Sequence, residues 1–208
     1  MKRQRKSKAV LENRKRYAQR DRFLKSFGYD SRPANAFAAA QALPLPGRVL
    51  EVGTGKGRVT ALLAKRLPGL TTIEIDKDAV RQAKLHATDL GVRRKIRFLT
   101  GDGEHLPFSP RWFDSIVSAN VLHHMKQPYR VLAEILRVVK PGGKIVLTDP
   151  DNSGLRAMAR MHIAEGKKHP ESGVRIAEAA RWLKRHGCTL ITKHGGQQDL
   201  LVATRSCD

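Results

Sequence analysis

From Arg48 onward the apolar positions alternate between short continuous runs and longer stretches with helical spacing. RVLEV opens a strand expected over 48–53, and Val59, Leu62, Leu63 and Leu67 mark a helix over 57–67 that Pro68-Gly69 closes. TTIEI (71–75) predicts a second strand, followed by a helix from Asp78 to Leu90 with Gly91 as its stop. KIRFL (95–99), FDSIVSA (113–119) and KIVLT (144–148) predict three more strands. A helix carrying Val131, Leu132, Ile135, Leu136 and Val139 precedes the last of these, broken by Lys140-Pro141-Gly142-Gly143. Regular strand–helix alternation with short loops predicts parallel βαβ units and a doubly wound sheet. Residues 149–173 then read as a polar, irregular stretch with a helical turn near 155–163, and a helix follows over 173–186. The runs CTLITKH (188–194) and QDLLVATR (198–205) are joined only through Gly195-Gly196, too short a link for a parallel crossover, so they should pair antiparallel. The expected fold is α/β: a doubly wound, mostly parallel seven-stranded sheet ending in an antiparallel hairpin.

Before Arg48 the pattern is different. Val10, Leu11, Tyr17, Ala18 and Leu24 recur near a seven-residue spacing and predict an amphipathic helix, interrupted on its apolar stripe by Arg14 and Asp21. Asp30-Ser31 and Pro33 supply a cap and first turn for a second helix, Ala34 to Leu43. Pro44 and Pro46 end it and set a boundary between a basic N-terminal extension (1–46) and a core domain (47–208). Residues 1–8 are expected to be disordered, because a run of like charges repels itself.

The charge is the unusual part of the composition. The 208 residues carry a formal net charge of +21. Ten cations fall in the first 22 residues against Glu12 and Asp21, which leaves an excess of about +13 on the rest. An anionic partner follows, be it nucleic acid, a membrane surface or an acidic substrate; a merely solvated basic surface accounts for the charge equally well. No apolar run approaches the roughly 18 residues of a membrane span, and no apolar segment follows the basic N-terminus as a secretory signal requires. A transit peptide fits the arginines less well than it conflicts with the lysines and Glu12. Cys188 and Cys207 have no metal-ligand spacing, so a reduced, cytoplasmic protein without a structural metal is expected.

Candidate chemistry concentrates at strand ends. Gly53, Gly55 and Gly57 join the first strand to its helix, where glycines let the backbone approach a ligand and the helix N-terminus favours negative charge. Alone, this pattern suits a plain tight turn as well. A dinucleotide site requires its third glycine at position 58, which is Arg58, so an oxidoreductase reading is disfavoured.

Four segments in order, EVGTGKG (51–57), IEID (73–76), GDGEHLPF (101–108) and FDSIVSANVLHHM with EILRVVKPGGKIVLTD, resemble the motifs of class I S-adenosylmethionine (SAM)-dependent methyltransferases. The resemblance is to the broad branch that includes ubiquinone-biosynthesis-type enzymes, and it covers about residues 48–149. It implies a Rossmann-like sheet, SAM as donor, S-adenosylhomocysteine as product and no metal. It assigns cofactor binding to Glu51, Gly53, Thr54, Gly55, Gly57, Glu74, Ile75, Asp102, Gly103 and Asn120. Glu51 would organise the ligand's amino group and the loop, or else cap the following helix. Glu74 would accept both ribose hydroxyls, with Asp76 as competitor and better helix cap. Asp102 would accept from the adenine amino group beside the Gly103 amide, or serve as a turn residue.

Methyl transfer from a sulfonium is an in-line displacement on an activated electrophile, so alignment is the main requirement, with deprotonation where the acceptor needs it. His123, His124 and Asp149 are weak candidates for a base, the histidine pair being more readily explained as packing. His162 and His169 lie in the segment where related enzymes place acceptor contacts, and read more simply as surface residues. No Asn-Pro-Pro-aromatic or Asp-Pro-Pro-aromatic motif follows the fourth strand, and no cysteine lies near it, which disfavours base methylation in nucleic acid. A small-molecule acceptor, anionic if the basic charge serves it, is favoured. RNA- or ribosome-directed methylation and a non-catalytic SAM-binding module are the alternatives, with residues 10–43 expected to form a lid.

Overall fold

The computed structural model describes residues 6–167 and 174–207. Strands β1 (Val49–Val52), β2 (Leu70–Glu74), β3 (Ile96–Thr100), β4 (Phe113–Ala119), β5 (Val139–Pro150), β6 (Cys188–Gly195) and β7 (Gln198–Arg205) form one sheet in the order β3-β2-β1-β4-β5-β7-β6. The first five are parallel, and β7 lies antiparallel between β5 and β6. This is the doubly wound sheet with a terminal hairpin that the alternation predicts. The helices are α1 (Lys8–Ser26), α2 (Ser31–Ala42), α3 (Arg58–Arg66), α4 (Lys77–Asp89), α5 (Pro128–Val138), α6 (Asn152–Ala164) and α7 (Ile176–Arg185). Among the described residues no helix is long and apolar enough to cross a membrane.

The central strands carry apolar residues at consecutive positions because both of their faces are covered, with Glu51, Ser115 and Ser118 as buried polar exceptions. On one face Leu50, Ile116, Ile145 and Leu147 pack with Leu132 and Ile135 of α5 and Leu183 of α7. On the other, Val49, Val117 and Val146 pack with Val59 and Leu63 of α3 and with Ala38, Ala39 and Ala42 of α2. The alanine face lets α2 approach closely, so residues 38–45 share a core with the sheet.

Four local expectations are corrected. The stretch 149–173 is not irregular over its described part. Asp151 accepts the Ser153 and Gly154 N–H groups, both at 2.8 Å, and starts the full helix α6. Its buried stripe is the inconspicuous set Gly154, Ala157 and Met161, which is why periodicity missed it. Residues 168–173, with His169, lie outside the described residues. Next, Lys140-Pro141-Gly142-Gly143 belongs to β5: Val139 already pairs with Phe113, and the register shifts before Lys144 meets Ser115. Finally, of the N-terminal segment expected to be disordered, residues 1–5 lie outside the described residues, while Lys6 and Ser7 are engaged. Ser7 caps α1, and the Lys6 ammonium lies 2.6 Å from the Asp89 carboxylate, which Arg14 also pairs. Leu11, placed on the apolar stripe by its spacing, is 43% exposed; Val10, Asn13, Tyr17 and Leu24 form the buried face.

Candidate functional site

The parallel register brings the ends of β1, β2, β3 and β4 to one edge of the sheet, where the order reverses direction across β1. Gly53 and Thr54 continue β1 by donating to the Ile73 carbonyl at 2.9 and 3.2 Å. All three loop glycines have positive φ, +85° at Gly53, +49° at Gly55 and +80° at Gly57, but for different reasons. A Cβ on Gly53 would sit 2.4 Å from Val121, and one on Gly57 would sit 2.8 Å from Ala83. These two glycines allow β4 and α4 to pack close. At Gly55 an added Cβ meets nothing within 4 Å, so there the backbone faces open space.

Beside this opening stands Glu74. Its Oε2 accepts the Gly55 N–H at 2.8 Å and its Oε1 accepts the Asp76 N–H at 3.1 Å. Each oxygen retains capacity for a further donor. Asp76 points the other way and caps α4, accepting the Asp78 N–H at 2.8 Å. Ile75, between them, is 66% exposed, a large apolar side chain presented at the same edge. Asp102 follows β3 and closes a turn by accepting the Glu104 N–H at 2.9 Å. That loop is pinned to α5: Glu134 accepts the Leu106 N–H at 2.7 Å, and Arg137 donates to the Leu106 and Phe108 carbonyls. Gly103 lies against Val52, 3.1 Å from where its Cβ would be.

Glu51 is buried behind the loop. Thr72 donates to its Oε2 at 2.7 Å, and the Thr54 hydroxyl lies 2.5 Å from that of Thr72. With the Thr72 proton directed at Glu51, Thr54 is the donor of the second bond. Glu51 does not cap α3, which begins at Gly57 without a side-chain cap. Burial pushes its carboxyl up to about 7 from 4.5, against the opposing pull of the Thr60 and Thr72 hydroxyls. A carboxyl whose pKa is raised by folding is neutral in both states at low pH, and it destabilises the fold as pH rises from about 4.5 through about 7. Glu51→Gln keeps an acceptor for Thr72 and removes the charge. Chemical denaturation at pH 8 is expected to show the variant more stable by up to about 3 kcal/mol, with the difference gone at pH 4. Equal stability at both pH values would show that Glu51 titrates normally.

At the other side of the edge, Asp149 grips His123 twice. Its Oδ2 accepts the His123 backbone N–H at 2.9 Å, and its Oδ1 lies 2.7 Å from the ring Nδ1. Both residues are buried. The pair fixes the turn after β4 to the end of β5, bringing together two candidates that sequence placed separately. His124 is exposed, its ring 3.8 Å from that of His123. Asn120 holds φ +58° and donates to Asn35 of α2 at 3.2 Å. His162 lies near the end of α6, in the structural cover that this helix and α1 share.

Several contributors had no recognisable motif. The Tyr17 hydroxyl of α1 donates to the Lys56 carbonyl inside the glycine loop. Its ring stacks on His86 at 4.5 Å and lies under the Arg58 guanidinium at 4.6 Å. Burial, with Arg58 nearby, lowers the His86 pKa to about 4, so the ring stacks uncharged at neutral pH. Arg58 in turn pairs with Asp21 at 2.6 Å. The signal for this contact was Asp21 itself, a charge on the apolar stripe of α1 that has to meet a partner. A second tie had no signal: Gln198 donates to the Tyr29 hydroxyl at 2.7 Å and accepts from Thr148 at 3.0 Å.

Residues 50–147 match the family model described as a methyltransferase domain. The chain is 26% identical over 164 residues to a ubiquinone biosynthesis O-methyltransferase of Xanthomonas axonopodis pv. citri, covering 74% of this chain and 67% of that one. It is 32% identical over 185 residues to an uncharacterized methyltransferase of Mycobacterium tuberculosis, covering 86% of this chain and 69% of the relative. The chain spans between 42% and 67% of the length of the ubiquinone biosynthesis O-methyltransferases it matches. In fold it is similar to a SAM-dependent methyltransferase, possible histamine N-methyltransferase, of Thermotoga maritima, with a TM-score of 0.68 at 18% identity, covering 95% of this chain and 99% of that one. The strand-end constellation, the matched domain and the mycobacterial relative agree: the chain belongs to the class I SAM-dependent methyltransferases.

Proposed function

We propose that the chain binds SAM over Gly55 and transfers its methyl group to an oxygen of a small molecule. The observation that carries the cofactor reading is the open space at Gly55, bordered by the Glu74 carboxylate and the exposed Ile75. Glu74 would take the ribose hydroxyls, Ile75 would cover one face of the adenine, and Asp102 with Gly103 would meet its edge. Gly53, Thr54 and Gly57 hold the loop in shape, and Asn120 borders the methionine side. Glu51 lies beneath, where a bound ammonium would draw its carboxyl toward the charged form. When bound, SAM supplies a methyl group already activated by its sulfonium. The protein's task is then to align the acceptor, exclude water and remove the acceptor's proton.

His123, oriented by Asp149, is the residue at this edge suited to receive that proton. The oxygen acceptor is supported by the relatives named ubiquinone biosynthesis O-methyltransferase. The test is calorimetric titration with SAM, followed by incubation of the protein with labelled SAM and fractionated cell extract. Label entering the small-molecule fraction supports the reading. Label in RNA or protein assigns a macromolecular acceptor, and tight SAM binding with no transfer marks a binding module.

The N-terminal segment is proposed as a lid. Tyr17 rests on the loop, and α1 is latched by Arg58–Asp21 and by Arg20 to Glu165, the residue that follows α6. Asp21→Asn removes one latch and is expected to speed S-adenosylhomocysteine release several-fold in stopped-flow measurements, as a loss of about 1 kcal/mol implies. Unchanged release would make α1 a static cover.

A further inference from the structure

The opposite edge of the sheet carries a second feature that methyl transfer does not use. At the amino ends of β1, β2, β3 and β4 there is a groove of about 560 Å³, lined among others by Arg48, Arg94, Lys95, Arg97 and Trp112. Among the described residues no acidic side chain lines it. Asp114, next to this edge, already accepts the Arg48 N–H at 2.7 Å and lies 2.5 Å from the Lys140 ammonium. Trp112 is 46% exposed, and the Arg48 guanidinium lies over its ring at 4.2 Å. The indole is left half in water on a groove that also carries Arg94, Lys95 and Arg97, with one face offered to a planar partner beside clustered positive charge.

We propose that this groove binds single-stranded RNA, with one base continuing the Arg48–Trp112 stack and the flanking phosphates held by Arg94, Lys95 and Arg97. Two elements match what a single strand offers: a flat π-face for the indole and guanidinium, and closely spaced negative charges for the side chains. A duplex presents its phosphates but keeps its bases stacked away from Trp112. A lipid surface also accepts cations and an interfacial indole, and the vesicle titration separates it from RNA. The site is separated from the Gly55 opening by the length of the strands, so its occupancy is a function additional to the reaction and independent of the acceptor's identity.

The test is fluorescence anisotropy of a labelled oligouridylate titrated with the full chain. Trp112→Ala is expected to weaken binding about tenfold, while Trp112→Phe, which keeps a stacking ring, retains most of it. The triple variant Arg94→Ser/Lys95→Ser/Arg97→Ser is expected to lower the salt slope by about 2. A charge-matched triple variant on α1, Lys15→Ser/Arg16→Ser/Arg22→Ser, controls for bulk charge and should lose clearly less affinity. Thermal melting verifies that each variant folds, and Trp112→Phe carries the stacking test if Trp112→Ala does not fold. Equal losses in the two triple variants would overturn the proposal by showing diffuse attraction. So would tighter binding of a duplex, or a preference for phosphatidylserine-containing vesicles over the oligonucleotide.

Discussion

A Glu74→Ala variant is expected to bind SAM at least about a hundredfold more weakly than the parent chain in calorimetric titration. The figure follows from losing a charged acceptor for two hydroxyls, each such hydrogen bond contributing about 1.5–3 kcal/mol. The loop loses as well, because Gly55 and Asp76 donate to the same carboxylate in the absence of ligand. Gly55 is therefore left without its anchor, and a small drop in melting temperature should accompany the loss of affinity. Glu74→Gln, which keeps one strong acceptor, is expected to fall between the two. Asp76→Ala separates the competing carboxylates. It removes the cap of α4, at about 1 kcal/mol of stability, and should leave SAM affinity within a few-fold. Full affinity in Glu74→Ala together with loss in Asp76→Ala would reverse the assignment.

The second large effect is expected at Asp149. Replacement by alanine leaves the His123 N–H and ring buried without the carboxylate that both now contact. Leaving two buried donors without their acceptor costs about 1–3 kcal/mol each, which for a chain of this size lowers the melting temperature by roughly 10 °C. Asp149→Asn keeps an oxygen for the backbone N–H and should recover part of that stability. A third variant, His123→Gln, distinguishes a proton acceptor from a structural clasp. If His123 takes the acceptor's proton, His123→Gln shifts the pH dependence of turnover as well as its size. If the pair only clasps β4 to β5, turnover falls in proportion to folded protein and the pH profile stays where it was.

The sheet was legible because burial on both faces puts apolar residues at consecutive strand positions, as at Ile116 and Val117 or Ile145, Val146 and Leu147, although Glu51, Thr72, Ser115 and Ser118 interrupt the runs. The antiparallel hairpin was legible from a two-glycine link alone. Helix α6 was not, because its packed face is built from Gly154, Ala157 and Met161, residues that carry little apolar signal. At the strand ends, sequence placed Glu74 and Asp76 two residues apart and could only weigh them. The fold separates them by direction, one toward the glycine loop and one toward its own helix. The glycines were read as a group serving the ligand. In the structure Val121 and Ala83 account for two of them and open space for the third. Contacts made at long range, such as Tyr17 to Lys56 or Gln198 to Tyr29, join residues whose neighbours in sequence say nothing of the partner.

The Tyr17 hydroxyl on the Lys56 carbonyl makes the first helix and the loop beneath it parts of one equilibrium. Linkage is symmetric: a ligand that favours the loop geometry gripped by Tyr17 must favour the docked helix by the same factor, and the reverse also holds. Lys15, Arg16 and Arg22 sit exposed on that helix, on the outward side from Tyr17. An anion that held the helix in its docked position would therefore raise cofactor affinity by the same factor without approaching the cofactor.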